Sequence, residues 1–215
     1  MSNDRIRDRR VQYEIGGLDR DDLDADPMLQ WHAWHSAAFD ARAAEPNAMV
    51  LSTIDLQGHP DARTVLIRSA DRHGFTFFTN YESVKSHQMT ARPVAAATFA
   101  WLDQHRQVRV RGTVERVSDA ESDAYFASRP RASQIGAWAS PQSEVLRDRH
   151  ELMELVTDVD RRFHDGAVPR PPLWGGWRLV PQEWEFWQGR PSRLHDRFRY
   201  RPSSDGSWNI TRLAP

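Results

Sequence analysis

Apolar side chains recur at two spacings along this chain, and the changes from one to the other divide it into elements. Residues 1–26 are charged, with Gly16-Gly17 and few apolar positions, which predicts an extended or mobile arm. Asp26-Pro27 reads as an N-cap followed by Pro at the first helical position. Trp31, Trp34, Ala38 and Phe39 then recur at helical spacing to about residue 44, where Glu45-Pro46-Asn47 stops the pattern.

Strand signals follow. Residues 48–55 lead through the turn Leu56-Gln57-Gly58-His59-Pro60 to 63–69, and Asp71-Arg72-His73-Gly74 turns into 75–79. A short helix is predicted over 83–91, closed by Pro93, and a strand over 94–101. Residues 106–117 alternate, with Val108, Val110, Gly112 and Val114 on one face and Gln107, Arg109 and Arg111 on the other. Ser118-Asp119-Ala120-Glu121 is a capping box opening a helix to about residue 128, and Pro130-Arg131-Ala132-Ser133 reads as a turn. The longest helix is predicted over 143–163, with Val145, Leu152, Leu155 and Val156 apolar. Strands over 174–180, 183–188, 193–200 and 208–213 close the chain. Some eight short strands joined mostly by hairpin-length turns imply an α+β, mainly antiparallel domain. A barrel or half-open barrel with helices packed outside removes its edges best.

The chain has 215 residues, enough for one domain with a substantial core. It has no Cys, which excludes thiol catalysis, disulfides and thiolate metal sites. No apolar run approaches the roughly 20 residues of a membrane span, and the charged N-terminus lacks the apolar core of a secretory signal. A net charge of −1 gives no general attraction to nucleic acid or membranes. The expectation is a cytoplasmic protein with neither as a partner. Of 29 basic side chains 28 are Arg, as a codon bias would produce, and the one Lys is Lys85. Any chemistry that needs an ammonium must use it.

Several groups could bind an anion. Lys85 stands at a predicted helix start, where free N–H groups and the dipole favour phosphate, although a Ser cap beside a solvated Lys reads the same way. Arg63 and Arg68 share an otherwise apolar strand and, five apart, point to opposite faces unless it is bulged. Tyr125 and Arg129 share a helix face, and with Ser133 they could converge on one phosphate. A solvated helix end explains them equally simply, and position alone favours it. Arg193, His195 and Arg197 would lie on one strand face, suited to an electron-rich or anionic ring, and Trp187 could stack on a flat ring. His32 and His35 have no carboxylate at a metal-motif spacing, so no metal site is expected.

Longer strings carry a resemblance. Ser128-Arg129-Pro130-Arg131-Ala132-Ser133-Gln134-Ile135-Gly136-Ala137-Trp138 and Arg193-Leu194-His195-Asp196-Arg197 are the most specific. They occur in order with Arg63-Thr64-Val65-Leu66, Phe78-Thr79-Asn80, Pro141-Gln142-Ser143, Trp174-Gly175-Gly176, Glu185-Phe186-Trp187-Gln188-Gly189 and Arg212-Leu213-Ala214-Pro215. From about Tyr13 to the end, the chain resembles the pyridoxamine 5′-phosphate oxidase family. That resemblance implies a split β-barrel homodimer with FMN at the subunit interface, O2 as acceptor and a phosphorylated B6 vitamer as substrate. It implies an arm over 1–26 acting as a substrate lid and an FMN-binding domain over 27–215.

By the same resemblance, Arg63, Thr79, Lys85 and Ser143 hold the FMN phosphate. Thr64, Val65, Leu66, Ile67, Arg68 and Phe78 complete that wall, while Gln107, Gln142, Trp187 and Arg197 contact the flavin. Tyr125, Arg129 and Ser133, with Arg68, grip the substrate phosphate. Arg193 and His195 cover the reacting ring as the catalytic pair, and Arg10 and Tyr13 close over it. Three positions depart from the commoner pattern: Arg68 stands for Lys, Phe78 for Tyr and Val84 for Arg. FMN is therefore expected to bind more weakly than usual. A same-fold oxidase of another flat substrate, such as a phenazine precursor, and a non-catalytic flavin or pyridoxal-phosphate carrier are the alternatives.

Overall fold

The computed structural model describes residues 16–164 and 166–215. Arg10 and Tyr13 lie outside the described residues. Among the described residues nine strands form one sheet in the order β2-β1-β5-β6-β7-β4-β3, with β8 paired to β7 and β9 to β8. The strands are β1 (Ala48–Ile54), β2 (Pro60–Leu66), β3 (Ser69–Asp71), β4 (Gly74–Asn80), β5 (Val94–Trp101), β6 (Arg106–Arg116), β7 (Trp174–Gln188), β8 (Asp196–Pro202) and β9 (Trp208–Leu213). The pairs β3–β4, β4–β7, β7–β8 and β8–β9 are antiparallel. Five α-helices accompany them among the described residues: α1 (Pro27–Asp40), α2 (Val84–Ala91), α3 (Asp119–Ser128), α4 (Arg131–Ala139) and α5 (Arg149–Phe163). This is the mainly antiparallel α+β arrangement that the strand spacing implied. No helix among the described residues is long and apolar enough to cross a membrane.

The residues gather into two compact units. One holds the chain up to Met49, Ala97–Arg111 and Gln182–Pro215; the other holds Val50–Ala96 and Gly112–Pro181. In the first unit, α1 begins as expected, with Asp26 Oδ1 accepting from Met28 N at 2.8 Å and Pro27 at the first position. It ends earlier than its apolar pattern, because Arg42 takes a left-handed φ of 56°. Trp31 and Trp34 are buried, Trp34 edge-on to Phe186 at 5.3 Å and Trp31 edge-on to Phe99 at 5.2 Å. His35 stacks on Trp31 and bonds to Asn47 Oδ1 at 2.7 Å. Asp196 ties three segments together: it accepts from Leu18 N at 3.0 Å and Arg212 Nη1 at 2.7 Å, and it pairs with Arg190 at 3.5 Å.

In the second unit, Phe75 and Phe77 of β4 are fully buried, and Phe126, Ile135, Val168 and Trp174 form a core cluster. Ser118 caps α3, accepting from Glu121 N at 3.1 Å. Three sequence expectations are corrected here. Residues 130–133 are no mere turn: Pro130 starts α4, whose buried Ile135 and Ala139 lie four apart on one face. The long helix starts only at Arg149, because Asp148 caps it, accepting from Glu151 N at 2.9 Å, and Val145 is fully exposed outside it. Strands 174–180 and 183–188 are one strand, β7. Pro181 marks not its end but a change of partner, from β4 (Phe75↔Leu179) to β8 (Trp184↔Tyr200).

Gly112 lies within β6 because any Cβ there would collide with the Val180 carbonyl oxygen. Gly136 in α4 has open space where a Cβ would go. Gly112→Ala is therefore expected to destabilise the fold by about 1–3 kcal/mol. Gly136→Ala should stabilise it by roughly 0.5–1 kcal/mol. Guanidinium unfolding of both variants checks the opposite signs; equal effects would contradict this packing.

Candidate active site

A cavity of about 780 Å³ lies within the second unit, lined from β2, β4, α2, the end of α3, the start of α4, Gln142 and Trp174. Its walls are polar because element ends gather at it, and such ends leave backbone N–H groups and side chains without regular partners. Arg63 and Arg68 both line it. The expectation of opposite strand faces fails because β2 stops at Leu66 and the chain re-pairs at Arg68, whose N–H donates to Thr76 O at 2.8 Å. Thr64, Val65 and Leu66 line the cavity beside them, while Ile67 turns into the core.

One corner is built on Lys85. Its Nζ donates to Gln142 Oε1 at 3.0 Å and to Thr79 Oγ1 at 3.3 Å, and Thr79 donates to Gln142 at 2.7 Å. Burial, and then the charge of Arg63, pushes the Lys85 ammonium below the ordinary lysine range. Ser83 does not cap α2 with its side chain. Instead Ser143 Oγ, carried on a left-handed backbone with φ 80°, accepts from Val84 N at 3.3 Å. Val84 is exposed at the first helical position. Arg63 is held by Asp61 and Thr53 and donates to Gln88 Oε1 at 3.2 Å.

The other corner gathers Tyr125, Arg129 and Ser133, as one of the two sequence readings allowed, with Arg68 lining the same space. Arg129 ends α3, with its guanidinium 4.7 Å above the ring of Trp174 and 5.7 Å from that of Phe126. Its Nη1 is buried with no hydrogen-bond partner. Burial pushes this guanidinium down in pKa, with Arg68 adding to the effect and Tyr125 opposing it. Phe78 stacks on Tyr125 at 4.0 Å and on Trp174 at 5.5 Å. Among the described residues, no carboxylate forms an ion pair with Lys85, Arg68 or Arg129, so both corners offer more donors than acceptors. That donor set fits phosphate monoesters, including the phosphate of FMN, at one corner or both.

Gln107, Trp187, Arg193, His195 and Arg197 belong to the first unit. Arg193, His195 and Arg197 do not share a strand face. Pro191–Arg193 is a 3-10 turn with φ 57° at Ser192 and 63° at Arg193, and β8 begins only at Asp196. His195 Nδ1 accepts from Arg190 N at 3.0 Å, and its ring lies 4.6 Å from that of Trp187. Burial and then the Arg193 charge hold its pKa down, although Asp196 opposes them. Arg197 donates to Glu185 Oε1 at 3.0 Å and Ala214 O at 2.8 Å, and Arg109 pairs with Glu185 at 3.5 Å. Sequence reasoning did not single out Trp174 as a site residue; the signal available was its place in Trp174-Gly175-Gly176, where a strand starts.

A family model described as pyridoxamine 5′-phosphate oxidase matches residues 36–160, and one described as the pyridoxine 5′-phosphate oxidase C-terminal dimerisation region matches 174–215. The chain is 54% identical over 210 residues to the pyridoxine/pyridoxamine 5′-phosphate oxidase of Ralstonia pickettii, spanning 98% of this chain and 99% of that one. It is 50% identical to the enzyme of that name from Synechocystis, spanning 98% of each. Among solved structures it is similar to PhzG of Burkholderia lata in complex with tetrahydrophenazine-1-carboxylic acid. The TM-score there is 0.86 at 30% identity, over 94% of this chain and 99% of that one. It shares its fold with a pyridoxamine 5′-phosphate oxidase-related, FMN-binding protein of Nostoc punctiforme, with a TM-score of 0.70 at 16% identity over 90% and 100% of the two chains. The fold is the split barrel, and with relatives half-identical along almost its whole length the chain belongs to the pyridoxamine 5′-phosphate oxidase family of enzymes.

Proposed function

We propose that this chain is an FMN-dependent oxidase that converts pyridoxamine 5′-phosphate or pyridoxine 5′-phosphate to pyridoxal 5′-phosphate. O2 is the acceptor and hydrogen peroxide is released, with ammonia as well from the amine. The observation that carries the reading is the 780 Å³ cavity lined by Lys85, Arg68 and Arg129, none of them in an ion pair with a carboxylate among the described residues. Its size is ordinary for a small-molecule site. Two phosphate monoesters, one on the cofactor and one on the substrate, match its two corners.

Lys85, Thr79, Ser143 and Arg63 would hold the FMN phosphate, beside the wall formed by Thr64, Val65, Leu66 and Phe78. Gln107, Gln142, Trp187 and Arg197 would contact the flavin, some of them from the partner in a homodimer. The family match at 174–215 to a dimerisation region supports that assembly. Because Glu185 already neutralises Arg197, that guanidinium suits a hydrogen bond to an uncharged ring edge better than a phosphate. Bound flavin supplies a two-electron acceptor that O2 restores, leaving the protein to supply binding, alignment and charge. Tyr125, Arg129, Ser133 and Arg68 grip the substrate phosphate and so fix where its C4′ lies.

Arg193 and His195 are the residues proposed to cover the pyridine ring, Arg193 orienting it. His195 accepts at Nδ1, so the neutral ring favoured by its lowered pKa carries its proton on Nε2 and contacts the substrate as a donor rather than a base. The lid of the N-terminal arm would be closed by Arg10 and Tyr13, while Leu18 and Asp24 of that arm are anchored to β8, and 27–215 would be the FMN-binding domain. The likeness to PhzG favours a second reading, oxidation of a phenazine precursor. Such a substrate, carrying no phosphate, would satisfy fewer of the donors around Arg129.

Anaerobic titration of the FMN-loaded protein with pyridoxine 5′-phosphate is expected to bleach the flavin absorbance, which should return on admitting air. A flavin that stays coloured with either phosphorylated vitamer would sink the oxidase reading. Arg193→Ala should lower kcat/KM by at least about tenfold, or ~1.4 kcal/mol; a change within about twofold would remove Arg193 from its orienting role. Val84→Arg restores a cation at the exposed start of α2. It is expected to tighten FMN binding by roughly ten- to a hundredfold, equivalent to about 1.5–3 kcal/mol, and an unchanged dissociation constant would show that Val84 does not limit affinity.

A further inference from the structure

We propose that Trp174 is a positioning residue for substrate recognition, its indole face holding the Arg129 guanidinium ready for the substrate phosphate. The inference rests on the reading of Tyr125, Arg129 and Ser133 as the phosphate grip. Arg129 stands 4.7 Å above the Trp174 ring, and its Nη1 is buried without an acceptor. A desolvated guanidinium with an unmet donor is costly, and an aromatic face is the one compensation that leaves its N–H groups uncommitted. A carboxylate in that place would neutralise the charge and compete with the phosphate.

The surroundings of Trp174 fix this arrangement. Its ring is buried in the core cluster yet lines the cavity, with Phe78 stacked 5.5 Å away at 12° and Tyr125 6.1 Å away at 11°. The Trp174 backbone N–H donates to Pro171 O at 3.0 Å, and the backbone carbonyl accepts from Arg170 Nη1 at 2.7 Å. Arg170 in turn bonds Asp119 at 2.8 Å and Asp123 at 2.5 Å, both on α3, the helix that presents Tyr125 and ends at Arg129. One ionic link therefore sets the start of β7 against the helix that carries the grip. The aromatic stack fixes Tyr125 and the cation–π contact fixes Arg129.

The test compares how FMN-loaded protein binds 4-deoxypyridoxine 5′-phosphate and 4-deoxypyridoxine, which carry no oxidisable group at C4′. The wild type is expected to favour the phosphorylated ligand. Trp174→Leu should weaken that ligand by about tenfold, within the range of a desolvated cation–π contact, and leave the unphosphorylated one unmoved. Trp174→Phe should lose less, about threefold, and carries the test if the leucine variant fails to fold. In an Arg129→Ala background the same Trp174 substitution should cost nothing further. Equal weakening of both ligands, or a loss that adds to that of Arg129→Ala, would reduce Trp174 to a core residue and overturn the inference. A wild type that favours neither ligand would overturn the phosphate grip itself, and this inference with it.

Discussion

A guanidinium or ammonium drawn out of water must find an acceptor, an aromatic face or an anion from outside. The second unit distributes these three solutions unevenly. Arg170 and Arg178 receive carboxylates, from Asp119 and Asp123 in one case and Glu121 in the other. Arg63 has Asp61. Lys85 donates to the neutral oxygens of Thr79 and Gln142, and Arg129 has an indole face and an unmet donor. Acids therefore secure much of the frame, while Lys85, Arg68 and Arg129, with no carboxylate paired to them among the described residues, line one cavity. An anionic ligand completes that electrostatic balance, which is why the cavity reads as a phosphate site rather than a generic pocket.

The first unit solves a different problem. His195 and Arg197, proposed to contact the substrate ring and the flavin, flank Asp196, which joins Leu18, near the start of the described residues, to Arg212 near their end. Glu185 holds Arg197, and the turn at Ser192 and Arg193 has two successive left-handed residues. Strained backbone of this kind persists where its surroundings over-determine it. Here the Arg190–His195 hydrogen bond and the Arg190–Asp196 ion pair provide that restraint by spanning the turn.

Much of this was legible in the sequence, for reasons that can be named. The Asp26-Pro27 start of α1, the Ser118–Glu121 cap of α3 and the alternation of β6 are local signals, and tertiary contacts reinforce them. The convergence of Tyr125, Arg129 and Ser133 was readable as geometry, but position alone could not separate a grip from a solvated helix end; the buried Arg129 Nη1 argues against full solvation and supports the grip as a proposal. Helix α4 was missed because Pro130 and the interior Gly136 look like punctuation, although Pro130 initiates the helix. Arg68 was misplaced because a strand break is invisible in an apolar run. Trp174 escaped because a Trp at a strand start looks like core, and its second role depends on an Arg 45 positions away.

Phosphorus-31 NMR of the FMN-loaded protein with bound pyridoxal 5′-phosphate tests the two-corner site most directly. A free phosphate monoester takes up its second proton near pH 6, at about the second pKa of such groups. Held by Lys85 at one corner and Arg129 at the other, both phosphates should give bound resonances whose shifts stay constant from about pH 8 to 5.5, because surrounding positive charge favours the dianion. A single bound resonance, or a bound signal that titrates like the free ester, would contradict the assignment of this cavity to two phosphates.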